Sequence, residues 1–307
     1  MQPPSLYKAQ NYWNRMEHRA LEGFVAAIAP FNFCALGANL LGMPALMGNS
    51  VVFKPSSTAM HESYFMMKIL KEAGLPDGVV NFVPCGGSTF GNAVLPHKDL
   101  AGVNFTGSTG TFHTIWKDVA QHIDEYKSYP RLIGETGGKN FHFVHESADP
   151  QQVIHQTVRG AFDYQGQKCS ATSRMYVPKG MWESGLKEGL AEETKKLKMG
   201  CSTDFSNFMC AVIDQTSFDS ITSYLDRVAA ADDAEFLVGG GYDDSVGYYI
   251  EPTIIVSDNP KYETMCDELF GPVLTITTCA PPSALHHLRT WNLVATNRWA
   301  LQLLKVL

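Results

Sequence analysis

No apolar run in this 307-residue chain reaches the ~18 residues of a membrane-spanning helix, so no helical membrane insertion is expected. A basic block is also missing. Net charge is −7, and Lys195-Lys196-Leu197-Lys198 reads as a solvated helix end, so nucleic-acid binding is not expected. Charged residues are scarce, 18% against roughly 25% in an average soluble protein, whereas 45% of residues are hydrophobic. That balance excludes a disordered chain and leaves room for about two well-buried domains. The seven cysteines include no Cys-x-x-Cys pair and no grouping with histidines at zinc-ligand spacing. Free thiols, a reducing compartment and no metal site are expected. Met1-Gln2-Pro3-Pro4 opens neither a signal-peptide core nor an arginine-rich amphipathic stretch, so no targeting segment is visible. Internal repeats and low-complexity tracts are absent too.

What is present is an alternation. Short apolar runs at Phe24–Ile28, Val51–Phe53, Val79–Val83, Val103–Phe105 and Arg131–Gly134 predict strands. Between them, Ser57 or Thr58 is placed to cap a helix through Leu70, closed by Gly74 and Pro76. A second helix is read from Phe112, Ile115, Trp116, Val119, Ala120 and Ile123, which recur at helical spacing. Such alternation implies a parallel sheet covered on both faces. From about Glu135 a second α/β region is predicted, with helices at Pro150–Phe162, Met181–Leu197 and Ser217–Ala230. Its strands are placed at Arg174–Val177, Glu235–Val238, Ile254–Val256 and Pro272–Thr277.

Several loops in this frame carry candidate chemistry, and each has a plain alternative. In Gly166-Gln167-Lys168-Cys169-Ser170-Ala171 a cysteine stands among small residues; upstream, Gly134-Glu135-Thr136-Gly137-Gly138-Lys139-Asn140 sets a glutamate on a glycine-rich turn. A thiolate nucleophile and a carboxylate that activates water are what covalent catalysis followed by hydrolysis requires. Any single cysteine is otherwise inert core packing. Asn32, in Ala29-Pro30-Phe31-Asn32-Phe33 at the end of the first strand, offers an amide N–H to an oxyanion, or simply caps the next helix. Lys54, ending the second strand, can hold ribose hydroxyls or a phosphate, or be a solvated lysine. Gly107-Ser108-Thr109-Gly110-Thr111 joins a strand to the amphipathic helix, where backbone N–H groups attract phosphate. It is not the Gly-x-Gly-x-x-Gly fingerprint, and alone it is weak. A buried phenylalanine at a strand entry accounts equally well for Glu268-Leu269-Phe270. The ten histidines single out no partner for the thiol, and no protease signature surrounds Cys169.

Taken together, these segments resemble the aldehyde dehydrogenase superfamily, from about Tyr12-Trp13-Asn14-Arg15-Met16-Glu17 to Glu268-Leu269-Phe270-Gly271-Pro272-Val273. The Lys-Cys-Ser form is most similar to the branch acting on L-glutamate 5-semialdehyde. The resemblance implies an α/β fold of aldehyde dehydrogenase type. A Rossmann-type parallel-sheet cofactor domain would span 1–134, a catalytic α/β domain 135–277, and a divergent tail 278–307. Cys169 would be the nucleophile, Glu135 the water activator and Asn32 an oxyanion donor. Ala29, Phe31, Lys54, Gly107, Ser108, Thr109, Gly110, Thr111, Glu268 and Phe270 would bind the cofactor. Phe33, Lys168 and Ser170 would meet the substrate, with Lys168 also able to lower the thiol pKa. NAD is the expected cofactor. Ser57 stands where many NAD-preferring relatives carry an acid, so NADP stays open as an alternative. A small aldehyde substrate, a homodimer and a place in the mitochondrial matrix within proline breakdown are further implications, with a cytoplasmic setting the alternative. The chain reads as shorter than the family at both ends. The rival expectations are therefore a catalytically impaired homologue, or an aldehyde dehydrogenase for another substrate.

Overall fold

The computed structural model describes residues 17–279. Tyr12 to Met16, His286-His287 and most of the divergent tail lie outside the described residues. The chain divides into two compact units, with the boundary between Thr136 and Gly137.

The first unit is a five-stranded sheet, β1 (Phe24–Ile28), β2 (Ser50–Lys54), β3 (Val80–Phe82), β4 (Leu100–Thr106) and β5 (Arg131–Glu135), ordered β3-β2-β1-β4-β5. Every pairing is parallel. Its helices are α1 (Cys34–Leu46), α2 (Met60–Glu72), α3 (Gly87–Val94) and α4 (Thr109–Gln121). Consecutive strand residues face opposite sides, and both sides are covered. Ala26 packs with Phe90, Phe105, Ile115 and Val119 under α3 and α4. Ala27 packs with Leu40, Leu41, Phe53 and Met66 under α1 and α2. Burying side chains such as Phe53 contributes on the order of 1.5–3 kcal/mol each.

Two local expectations fail in this unit. Ser57 and Thr58 lie inside a 3₁₀ turn, Ser57–Ala59, and α2 begins at Met60 with no side-chain cap. The stripe on α4 is narrower and shorter than its spacing suggests: Ile115 and Val119 are buried, Trp116 is 54% exposed, and Ile123, 49% exposed, lies beyond the helix end. Helix α1 had no periodic signal because it is apolar all round, Cys-Ala-Leu-Gly-Ala-Asn-Leu-Leu-Gly-Met-Pro-Ala-Leu.

The second unit contains β6 (Asn140–Phe143), α5 (Pro150–Phe162), β7 (Thr172–Pro178), α6 (Lys179–Met181), α7 (Lys187–Lys195), α8 (Gln215–Ala229), β8 (Ala234–Val238), β9 (Tyr242–Asp243), β10 (Tyr249–Ile250), β11 (Thr253–Ser257), α9 (Glu263–Cys266) and β12 (Val273–Cys279). The main sheet runs β6-β7-β12-β11-β8, parallel except for the β11–β8 pair. Alternation again builds two cores. Met175, Ile254 and Leu274 face α5 and α7, whereas Tyr176, Ile255 and Val273 face α8. Asp149 caps α5 through the Gln152 N–H, and Asp214 caps α8 through the Ser217 N–H. The single helix expected over Met181–Leu197 is broken by a π-helical segment, Trp182–Leu186, where Gly185 has φ +115°.

Candidate active site

In the first unit the strand order reverses between β1 and β4. Adjacent crossovers leave in opposite directions there, opening a crevice at the carboxyl ends of the two strands, where ligands of such sheets bind. Ala29 to Phe33 follow β1, and Gly107 to Thr111 follow β4. Asn32 is buried and lies one residue before the α1 N-cap, Phe33, which is 36% exposed. Ser108 is the N-cap of α4, accepting from the Thr111 N–H at 3.2 Å and lying 2.8 Å from the Thr111 hydroxyl. The Phe112 N–H donates to the Ser108 carbonyl. The N–H groups of Thr109 and Gly110 therefore head the helix, pointing out of its positive end.

This turn rests on a stack of two rings. Phe105 and Phe112 lie 5.5 Å apart at 16°. A Cβ on Gly107 would sit 2.7 Å from the Phe105 ring, and one on Gly134 would sit 2.4 Å from Phe112. Glycine at both positions is what lets α4 start so close to the sheet. Gly110, by contrast, faces open space within 4 Å. An open, donor-lined helix start at a sheet switch point fits a dinucleotide phosphate. Lys54 is buried at the end of β2, its Nζ donating to the Pro55 carbonyl at 2.9 Å, and that burial lowers its pKa. Glu135 is exposed at the last position of the edge strand β5.

The second unit holds the thiol. Cys169 is half-buried in a turn closed by the Ala171 N–H donating to the Lys168 carbonyl at 3.0 Å. Ser170 is exposed. The approach to this turn is left-handed: Tyr164, Gln165 and Gly166 have φ of 58°, 57° and 65°. Only glycine fits at 166, because a Cβ there would come 2.2 Å from the Gly271 carbonyl oxygen. The Asn140 amide donates to the Cys169 carbonyl and, at 3.4 Å, to that of Ala171. Lys168 pairs with Asp163 at 2.6 Å.

A cavity within this unit brings together Lys168, Glu268 and Phe270 with Gly138, Lys139 and Ser173. Glu268 as a whole is exposed, yet its carboxylate packs on the glycine turn and accepts from the Gly138 N–H at 3.0 Å. A Cβ on Gly137 would lie 1.8 Å from that carboxylate. Burial raises the Glu268 pKa, while the Gly138 N–H and Lys139 oppose the rise. Burial first, then the nearby Arg174 guanidinium, pulls Lys139 down to about 7. Phe270 is left-handed, with φ 55°. Sequence reasoning assigned no role to Lys139 or Asn140, although both stand in the glycine-rich motif it selected. Among the described residues, no group of three or more His, Cys, Asp or Glu side chains could hold a metal ion.

The sequence profile of the aldehyde dehydrogenase family matches residues 2–288. The chain belongs to that family. Delta-1-pyrroline-5-carboxylate dehydrogenase of Danio rerio, named as mitochondrial, is 53% identical over 264 residues, covering 86% of this chain and 47% of that protein. The Dictyostelium discoideum enzyme of the same name is 50% identical over 277 residues, covering 90% and 49%. The crystal structure of the Mycobacterium tuberculosis enzyme bound with NAD superposes with a TM-score of 0.85 at 42% identity, covering 94% of this chain and 52% of that one. The chain thus spans about half the length of these family members. Its two units carry the family fold, a mixed α/β architecture with a parallel sheet.

Proposed function

We propose that the chain carries the cofactor cradle and the nucleophile of an NAD-dependent oxidation of L-glutamate 5-semialdehyde to L-glutamate. The observation that carries this reading is the Cys169 turn: a half-exposed thiol on a left-handed approach, its carbonyl held by Asn140. Names of relatives at about half identity supply the substrate class. In this reading the Cys169 thiolate adds to the aldehyde carbon, and Asn32 with the Cys169 N–H holds the oxyanion. NAD, when bound, takes up the hydride lost by that carbon, which becomes a thioester. Glu135 then removes a proton from water, water adds to the thioester carbon, and the thiolate leaves. The α4 start, from Gly107 to Thr111, binds phosphate. In this reading Lys54 holds ribose hydroxyls or phosphate, and Glu268 with Phe270 meets the nicotinamide ribose. Phe33, Lys168 and Ser170 meet the substrate. A mitochondrial setting is suggested by the names of several relatives; a homodimer and a place in the matrix belong to the proposal, with NADP the alternative cofactor.

The Asp163 ion pair favours a second reading, a chain that binds nucleotide without turnover, because it already engages the Lys168 ammonium. NADH release by the 307-residue chain with glutamate semialdehyde separates the two. Turnover abolished by Cys169→Ala supports the dehydrogenase. NAD binding without NADH formation in the unaltered chain supports the second reading, and neither binding nor turnover refutes both.

A further inference from the structure

Two amides outside the assigned chemistry grip the nucleophile turn from different elements. Asn140, at the start of β6, donates to the carbonyls of Cys169 and Ala171. Gln167 is buried, and its side-chain oxygen accepts from the Ile213 N–H at 2.9 Å across 46 residues of sequence. Asn140 is itself seated, its own carbonyl accepting from the Ser173 hydroxyl at 3.2 Å. The space between is tight, since a Cβ on Gly138 would lie 3.2 Å from the Cys169 carbonyl oxygen.

We propose that Asn140 and Gln167 are positioning residues that act through Cys169, fixing the peptide planes of its turn. The proposal rests on Cys169 being the nucleophile. In a trans peptide the C=O and N–H point in opposite directions. Holding the Cys169 carbonyl toward Asn140 therefore aims the Ser170 N–H the other way. An N–H fixed in this way is available to an anion without reorganisation when the thiolate forms. Gln167 sets where the turn begins, tying the left-handed approach, already packed at Gly166 against Gly271, to the segment at Ile213. The chemistry differs at the two positions: Asn140 donates, whereas Gln167 accepts from the Ile213 N–H at 2.9 Å and donates, at 3.5 Å, to the Tyr164 carbonyl. Asn140→Asp keeps shape and loses the donor. Gln167→Glu keeps shape and the acceptor, whereas Gln167→Met loses the acceptor.

The test measures alkylation of Cys169 by iodoacetamide, by mass spectrometry, from pH 6 to 10 in the full chain. The exposed Cys34 serves as internal reference, and circular dichroism reports folding. In the unaltered chain Cys169 should label faster than Cys34 at neutral pH. Asn140→Asp and Gln167→Met should slow Cys169 about tenfold at pH 7.5 and move its pH midpoint upward, a smaller loss than the ~100-fold that a 1 Å displacement can cause. Gln167→Glu keeps the acceptor but loses the donation to Tyr164 and adds a buried negative charge near the thiol, so it should fall between the parent and Gln167→Met. If Asn140→Asp does not fold, the Gln167 pair decides alone. Equal Cys169 profiles in parent, Asn140→Asp and Gln167→Met would overturn the positioning role while leaving the nucleophile intact. A Cys169 slower than Cys34 in the parent chain would instead remove the nucleophile, and the positioning role with it.

Discussion

Replacing Gly166 by alanine tests whether the nucleophile loop is fixed by backbone packing. Two costs add at this position. The left-handed backbone, φ +65°, costs an L-residue about 1–2 kcal/mol. The new Cβ also meets backbone atoms: the Gly271 oxygen at 2.2 Å, the Gly271 carbonyl carbon at 2.8 Å and the Ala161 oxygen at 2.9 Å. None of these is the free end of a side chain, so a strand entry and a helix end must shift, at a further 1–3 kcal/mol or more by the usual cost of overpacking, roughly. The expected loss is about 2–5 kcal/mol, a large share of the 5–15 kcal/mol that holds a domain folded. For a unit of this size that is roughly a 10 °C fall in melting temperature. Gly78→Ala is the control, because φ there is +84° and nothing lies within 4 Å of its Cβ. It should lose only the conformational part, about 1–2 kcal/mol. Thermal and urea unfolding followed by far-UV circular dichroism measure both. Equal losses in the two variants, or a Gly166→Ala chain melting with the parent, would refute the packing argument.

Gly137→Ala should displace the Glu268 carboxylate, 1.8 Å from the new Cβ, and break its bond from the Gly138 N–H. A stability loss of about 1 kcal/mol and weaker NAD binding by titration calorimetry are expected, and unchanged affinity would separate Glu268 from the cofactor. Lys139, near 7 in the folded chain, ordinarily titrates near 10.4, so between those values the unfolded chain holds the extra proton. Its burial penalty is complete below pH 7 and fades as pH rises, so stability should climb from pH 7 towards 10. Lys139→Met should remove that climb in urea midpoints, and an identical slope in the variant would contradict it. Cys201 is exposed, and the Thr203 hydroxyl, 3.1 Å away, holds its thiol below the ordinary range. Thr203→Val should slow Cys201 alkylation at pH 7.5 while Thr203→Ser preserves it, read by peptide mass spectrometry.

Much of the architecture was legible because it is local. The strand Phe24–Ile28 and the helix Pro150–Phe162 were read at their observed bounds, since an apolar pattern acts within a few positions. Cys169, Glu135 and the Gly107–Thr111 turn stood out by motif, and the family follows from them. Local patterns failed where a longer-range contact chose the conformation. Helix α1 is apolar on every side and carried no period, and Gly185 broke a helix whose spacing looked continuous. What only the tertiary structure decided are the pairings between distant segments: Glu268 on the Gly138 N–H across 130 residues, Gln167 on Ile213 across 46, and the Gly166 approach against Gly271. No periodicity encodes such pairs. Their partners are set by how the sheets order their strands, and that order depends on burial summed over each whole unit.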